Sequence, residues 1–125
     1  MQKTGRPVSP HVTIYSFPIA ALTSITNRVT GVTLSFGALG LAGAELVGGS
    51  GSALALMEGI GSSGIVLAST AKFAVAFPCV YHFFGAVRHL AWDKTPDMLT
   101  IADVEKSSYA LVGSSLIVSG GFLFI

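Results

Sequence analysis

Three long apolar runs, separated by short polar or glycine-rich stretches, constrain this chain more than any other feature. They fall at about 24–47, 65–90 and 107–125, and each supplies the ~20 residues of helix that the hydrocarbon core of a bilayer requires. Charged residues make up 10% of the 125 residues and hydrophobic ones 51%, whereas a soluble domain carries about 25% charge. The flanks suit an interface: small polar residues follow Pro18, and Trp92, Asp93 and Lys94 close the second run. The stretch DVEK precedes the third and reads as soluble. The expected fold is an all-α integral membrane chain. An extra-membrane segment, 1–23, leads into a transmembrane anchor of three helices, 24–125.

Orientation follows from the basic residues, which gather on the side of the membrane that keeps positive charge. Lys3, Arg6 and Arg28 precede or open the first span, and Arg88, Lys94 and Lys106 lie at or between the second and third. The glycine-rich linker from Gly48 to Gly64 has no Lys or Arg. The amino terminus and the second loop therefore face the positive-inside compartment. Lys72 is the exception; it lies about 15 Å of helix before His82 and can snorkel to the opposite interface. Met1 to Tyr15 has no apolar core of a secretory signal. RPVSPH, with prolines at 7 and 10, reads as extended. It is either a docking strap or a disordered tail.

A net charge of +1 gives no general reason to expect a nucleic acid partner. Cys79 is the single cysteine, so it makes no internal disulfide and no covalent haem link; a small buried hydrophobe is expected.

Chemistry concentrates in the second span. FPCVYHFFGAVRHLAWD places His82 within the membrane and His89 two turns further on, on nearly the same face and about 10 Å away. Two histidines so arranged cannot bind one metal from opposite sides. A haem iron with two imidazoles would take one from this chain and the other from another subunit. The alternative is a neutral His82 hydrogen-bonded to a neighbouring helix. Gly85, adjacent on the helix surface, leaves room for a flat macrocycle. Arg88 and His89 lie nearer the positive-inside face, where antiparallel pairing of the first two spans also brings Arg28. Such a cluster calls for an anion, whether a haem propionate, an acidic loop or a lipid headgroup; Arg88 alone also reads as a snorkelling cation.

On the first span, Ser24 and Arg28 share a face that continues through Gly31 and Ser35. A hydroxyl and a guanidinium near the interface could hydrogen-bond a quinone carbonyl. The competing reading is small-residue helix packing through Gly31, Ser35, Ala38 and Ala42.

RPVSPHVTIY, SITNRVTG and AKFAVAFPCVYHFFGAVRHLAWD, in that order over nearly the whole chain, resemble the large cytochrome b membrane-anchor subunits of succinate:quinone oxidoreductase, respiratory complex II. The resemblance implies that His82 is an axial ligand of haem b, with the opposite ligand from a small cytochrome b anchor subunit that completes the helix bundle. It implies that Ser24 and Arg28 bind quinone, and that Arg28, Arg88 and His89 lie toward the haem propionates. Asn27 departs from the family, which usually has histidine there; asparagine can hydrogen-bond but does not titrate near neutral pH. Succinate oxidation would belong to flavoprotein and iron-sulfur subunits, since this chain has neither a dinucleotide fingerprint nor a cysteine cluster. The strap would face the iron-sulfur subunit, and lipid would surround the rest. The likeness to the mitochondrial branch implies a multi-pass inner-membrane protein with its amino terminus in the matrix and its transit peptide removed; a bacterial inner membrane is the alternative. A non-redox or haem-less scaffold, and the same anchor working as a quinol:fumarate reductase, are the competing functions.

Overall fold

The computed structural model describes residue 5 and residues 14–124. RPVSPH, Lys3 and His11 lie outside the described residues. Among these residues there are four α-helices and no strand: α1 (Ile19–Gly48), α2 (Ser52–Ser62), α3 (Ile65–Lys94) and α4 (Ile101–Gly121), with 3₁₀ turns at Pro96–Met98 and Phe122–Phe124. The three long helices, with α4 extended through its closing turn to Phe124, are long and apolar enough to cross a membrane.

Helix ends differ from the edges of the apolar runs because capping groups, not hydropathy, decide them. Pro18, extended at φ −66° and ψ 154°, lacks an N–H and has a fixed φ, which suits the boundary of a helix. α1 therefore starts at Ile19, within the segment expected to precede it. α4 starts at Ile101 and takes in DVEK. Thr100 is the reason: its Oγ1 accepts the Asp103 N–H at 3.2 Å and donates to Asp103 Oδ2 at 2.6 Å, closing the first turn.

The glycine-rich linker also holds a helix. Gly51 (φ 90°) and Gly64 (φ 111°) bracket α2 in left-handed conformations open to glycine, and the Ala, Leu and Met between them favour helix. Glu45, on the last turns of α1, reaches across the turn. Its two carboxylate oxygens accept the N–H groups of Gly51 at 2.9 Å and Ala53 at 3.1 Å. The carboxylate thus satisfies otherwise orphaned donors at the positive end of α2.

α1, α3 and α4 pack against one another with small and polar groups inside. The buried positions are Thr23 and Thr30 on α1, Pro78, Tyr81 and Gly85 on α3, and Ser108, Leu111, Ser115 and Ser119 on α4. Large apolar side chains point outward, among them Phe36, Leu39, Phe83 and Ile117. Lipid is as apolar as leucine, so association relies on close approach and hydrogen bonds rather than on removing apolar surface from water. Cys79 follows the same logic. It is exposed on α3, contrary to the expected burial, because a small hydrophobe needs no shelter from lipid.

Replacing Glu45 with alanine should remove about 1 kcal/mol of cap stabilisation from α2. Amide exchange at Gly51 and Ala53 is expected to rise roughly fivefold, while exchange in the α1–α3–α4 core stays unchanged.

Candidate functional site

α1 and α3 meet through two reciprocal insertions at glycine. The imidazole of His82 lies over Gly31: a Cβ there would stand 2.8 Å from Cε1 and 3.3 Å from Nδ1. In return, the Asn27 side chain lies over Gly85, so closely that a Cβ on Gly85 would collide with Asn27 Oδ1. The space above Gly85, read from the sequence as room for a macrocycle, is therefore occupied by Asn27. Only glycine permits either approach.

The His82 ring is oriented by a main-chain group. Its Nδ1 lies 3.0 Å from the Asn27 carbonyl oxygen. A carbonyl only accepts, so in the neutral ring Nδ1 carries the proton and Nε2 holds the lone pair. Nε2 has no hydrogen-bond partner among the described residues. His82 is half-buried, and no three His, Cys, Asp or Glu side chains come together among those residues. Within this chain His82 thus has Nδ1 taken by a carbonyl and Nε2 without a hydrogen-bond partner among the described residues. This arrangement fits one axial position of a haem iron, whose histidine ligands use one ring nitrogen while the other donates to a carbonyl or carboxylate.

A second polar contact joins all three long helices one to two turns away. Arg88 donates from Nη1 to Ser108 Oγ at 3.0 Å, and the hydroxyls of Ser108 and Thr23 lie 3.2 Å apart. The Tyr81 hydroxyl donates to the Thr23 carbonyl at 3.2 Å. Thr23, Tyr81 and Ser108 are each no more than 1% exposed. The Arg88 guanidinium also lies 4.5 Å from the centre of the Trp92 ring, a cation–π contact. Trp92 meets the His89 ring edge-on at 5.3 Å.

Arg88 is thereby directed toward α4. Arg28 and His89 are exposed, and no hydrogen bond joins either to Arg88 among the described residues. Ser24, half-buried, stands beside Thr23 at the same end of the bundle. Ser35 donates back to the Gly31 carbonyl at 3.0 Å and is exposed; with Ala38 and Ala42 also exposed, only the Gly31 end of that stripe packs within the chain. Reading the sequence missed Thr23, Tyr81 and Ser108. A signal was available for Tyr81 alone, which lies two turns before Arg88 as His82 does before His89.

Open grooves lie on the surface of the described residues. One of about 710 Å³ runs along α3 from Lys72 past Cys79 to Phe83, closed by Val118 and Phe122. One of about 350 Å³ lies between α3 and α4 beside Arg88, Ser107 and Ser114. One of about 540 Å³ separates the starts of α1 and α4 at Phe17, Leu99 and Tyr109. None is lined by Ser24, Arg28 or His82.

Gly85→Ala should force a methyl into Asn27 and lower stability by about 1–3 kcal/mol. Adding Asn27→Ala should recover most of that loss, read as thermal unfolding of the purified assembly in detergent; strictly additive losses would show that the two side chains do not meet.

The helical layout and the polar positions can be set beside known proteins. The family profile described as "Succinate dehydrogenase/Fumarate reductase transmembrane subunit" matches residues 2–122. The mitochondrial succinate dehydrogenase cytochrome b560 subunit of Dictyostelium discoideum is 40% identical over 96% of this chain and 62% of its own length. The human cytochrome b560 subunit is 42% identical over 72% of this chain and 54% of its own length. The chain thus spans about three-fifths or less of these two relatives. The cytochrome b556 subunit of Paracoccus denitrificans is 32% identical over 95% of this chain and 90% of its own length. With the match running through all three long helices, the chain belongs to the succinate dehydrogenase/fumarate reductase transmembrane subunit family.

Proposed function

We propose that this chain is the large membrane-anchor subunit of a succinate:quinone oxidoreductase, with His82 as one axial ligand of haem b and Ser24 and Arg28 at the quinone site. The observation that carries the reading is the hydrogen bond from His82 Nδ1 to the Asn27 carbonyl. It orients the ring and leaves Nε2 for another partner in the middle of an apolar helix, where an ionisable residue without a task is disfavoured. The small cytochrome b anchor subunit would supply the second imidazole.

At the positive-inside end, the Ser24 hydroxyl and the Arg28 guanidinium orient a quinone carbonyl by donating to its oxygen. Arg28 also stabilises negative charge as two electrons and two protons convert quinone to quinol. Haem b, when bound, supplies a one-electron carrier beside that site. Arg28 and His89, both exposed, are the candidates to meet haem propionates, whereas Arg88 holds α3 to α4 through Ser108. Flavoprotein and iron-sulfur subunits oxidise succinate and deliver its electrons. The setting is the mitochondrial inner membrane, with the amino terminus in the matrix, or the inner membrane of a bacterium.

A second reading, an anchor without haem, is favoured by the closeness of the His82–Gly31 contact, which a purely structural helix crossing also requires. A reduced-minus-oxidised spectrum of the assembled complex decides between them. We expect a b-type band that is lost in His82→Ala; an unchanged band would remove His82 as ligand. Arg28→Ala should lower succinate:quinone activity roughly 10- to 100-fold, as loss of a charge-assisted hydrogen bond does. Succinate oxidation by a soluble acceptor should persist, and normal quinone reduction in that variant would contradict the site.

A further inference from the structure

We infer that Thr30 and Gly31 are positioning residues for His82, Thr30 by sharing the carbonyl oxygen that receives the imidazole N–H and Gly31 by fixing the plane of the ring. The inference rests on His82 being a haem ligand.

The Asn27 carbonyl has an unusual load. As part of α1 it accepts the Gly31 N–H. It also accepts from Thr30 Oγ1 at 2.9 Å and from His82 Nδ1 at 3.0 Å. A carbonyl oxygen has two lone pairs, so three donors compete for it. Thr30 is 4% exposed, and its hydroxyl has no other hydrogen bond among the described residues. The hydroxyl therefore draws continuously on the density that would otherwise strengthen the bond to His82.

That competition reaches the iron through ligand basicity. The more strongly an axial imidazole donates its distal N–H, the more basic its ligating nitrogen becomes. A more basic ligand favours the ferric over the ferrous state, and hydrogen bonding behind the ligand is one of the protein's levers on potential. Thr30 weakens the bond and so holds the haem potential up. Gly31 acts sterically: a methyl there meets Cε1 at 2.8 Å, tighter than van der Waals contact, and the ring must turn.

Thr33 provides an internal control. Its hydroxyl makes the same kind of back-bond, to the Val29 carbonyl at 2.9 Å, but no histidine shares that oxygen.

The test is a redox titration of the haem in the assembled complex, with low-temperature EPR of the ferric state. Thr30→Val should shift the midpoint potential downward, Thr30→Ser should stay near the native value, and Thr33→Val should not move it. Should the valine variant fail to assemble, Thr30→Ala removes the same hydroxyl and is read the same way. Gly31→Ala should change the ferric g values, which report ligand-plane orientation. An unchanged or raised potential in Thr30→Val, or an equal shift in Thr33→Val, would overturn the role of Thr30; native g values in Gly31→Ala would overturn that of Gly31. His82→Ala separates the two levels. A surviving b-type band there defeats the ligand assignment itself. Loss of the band with silent Thr30 variants defeats only the shared carbonyl.

Discussion

The crossing of α1 and α3 is the contact on which the rest depends. Two glycines, Gly31 and Gly85, each admit a side chain from the opposite helix, and the pair His82 and Asn27 lock the crossing from both sides. Backbone approach this close is what replaces the hydrophobic effect in a bilayer. It also brings a main-chain carbonyl within hydrogen-bond distance of an imidazole. Packing and chemistry are therefore one feature here, and a change in helix approach would be felt at the His82 ring.

The polar contact among Thr23, Tyr81, Arg88 and Ser108 performs the complementary task. It ties α4 to the other two helices near the end where Ser24 and Arg28 stand. A guanidinium at that depth needs an acceptor and π density around it. Ser108 and Trp92 provide them, leaving the exposed Arg28 available for anionic or carbonyl partners. The division between one structural arginine and one available arginine follows from which neighbour each side chain meets.

The three long helices were legible in the sequence because apolar runs of that length, in a chain so poor in charge, suit little but a bilayer. His82, Ser24 and Arg28 stood out for the same reason, as polar groups in or at the mouth of apolar runs. Helix ends were less legible, since hydropathy marks the lipid and not the caps: Thr100 with Asp103 starts α4 before its apolar run begins. α2 was hidden because its glycines resembled a linker, and the Glu45 carboxylate that caps it lies on another helix. The direction of Arg88 toward Ser108 depends on a rotamer choice between two neighbouring helices, which spacing does not encode. Gly85 was read as leaving room for a flat macrocycle, but the group over it is the side chain of Asn27, which depends on how α1 and α3 cross and not on spacing within α3.

The central claim is that His82 presents Nε2 to a haem iron while its Nδ1 stays on the Asn27 carbonyl. A cryo-EM map of the intact complex in lipid, at a resolution that shows ring orientation, tests this most directly. The account predicts haem density bonded to His82 Nε2, a second imidazole from the small anchor subunit, and an unbroken Nδ1 contact to α1. Iron bound through Nδ1, or His82 still lying on Gly31 with no haem beside it, would contradict it.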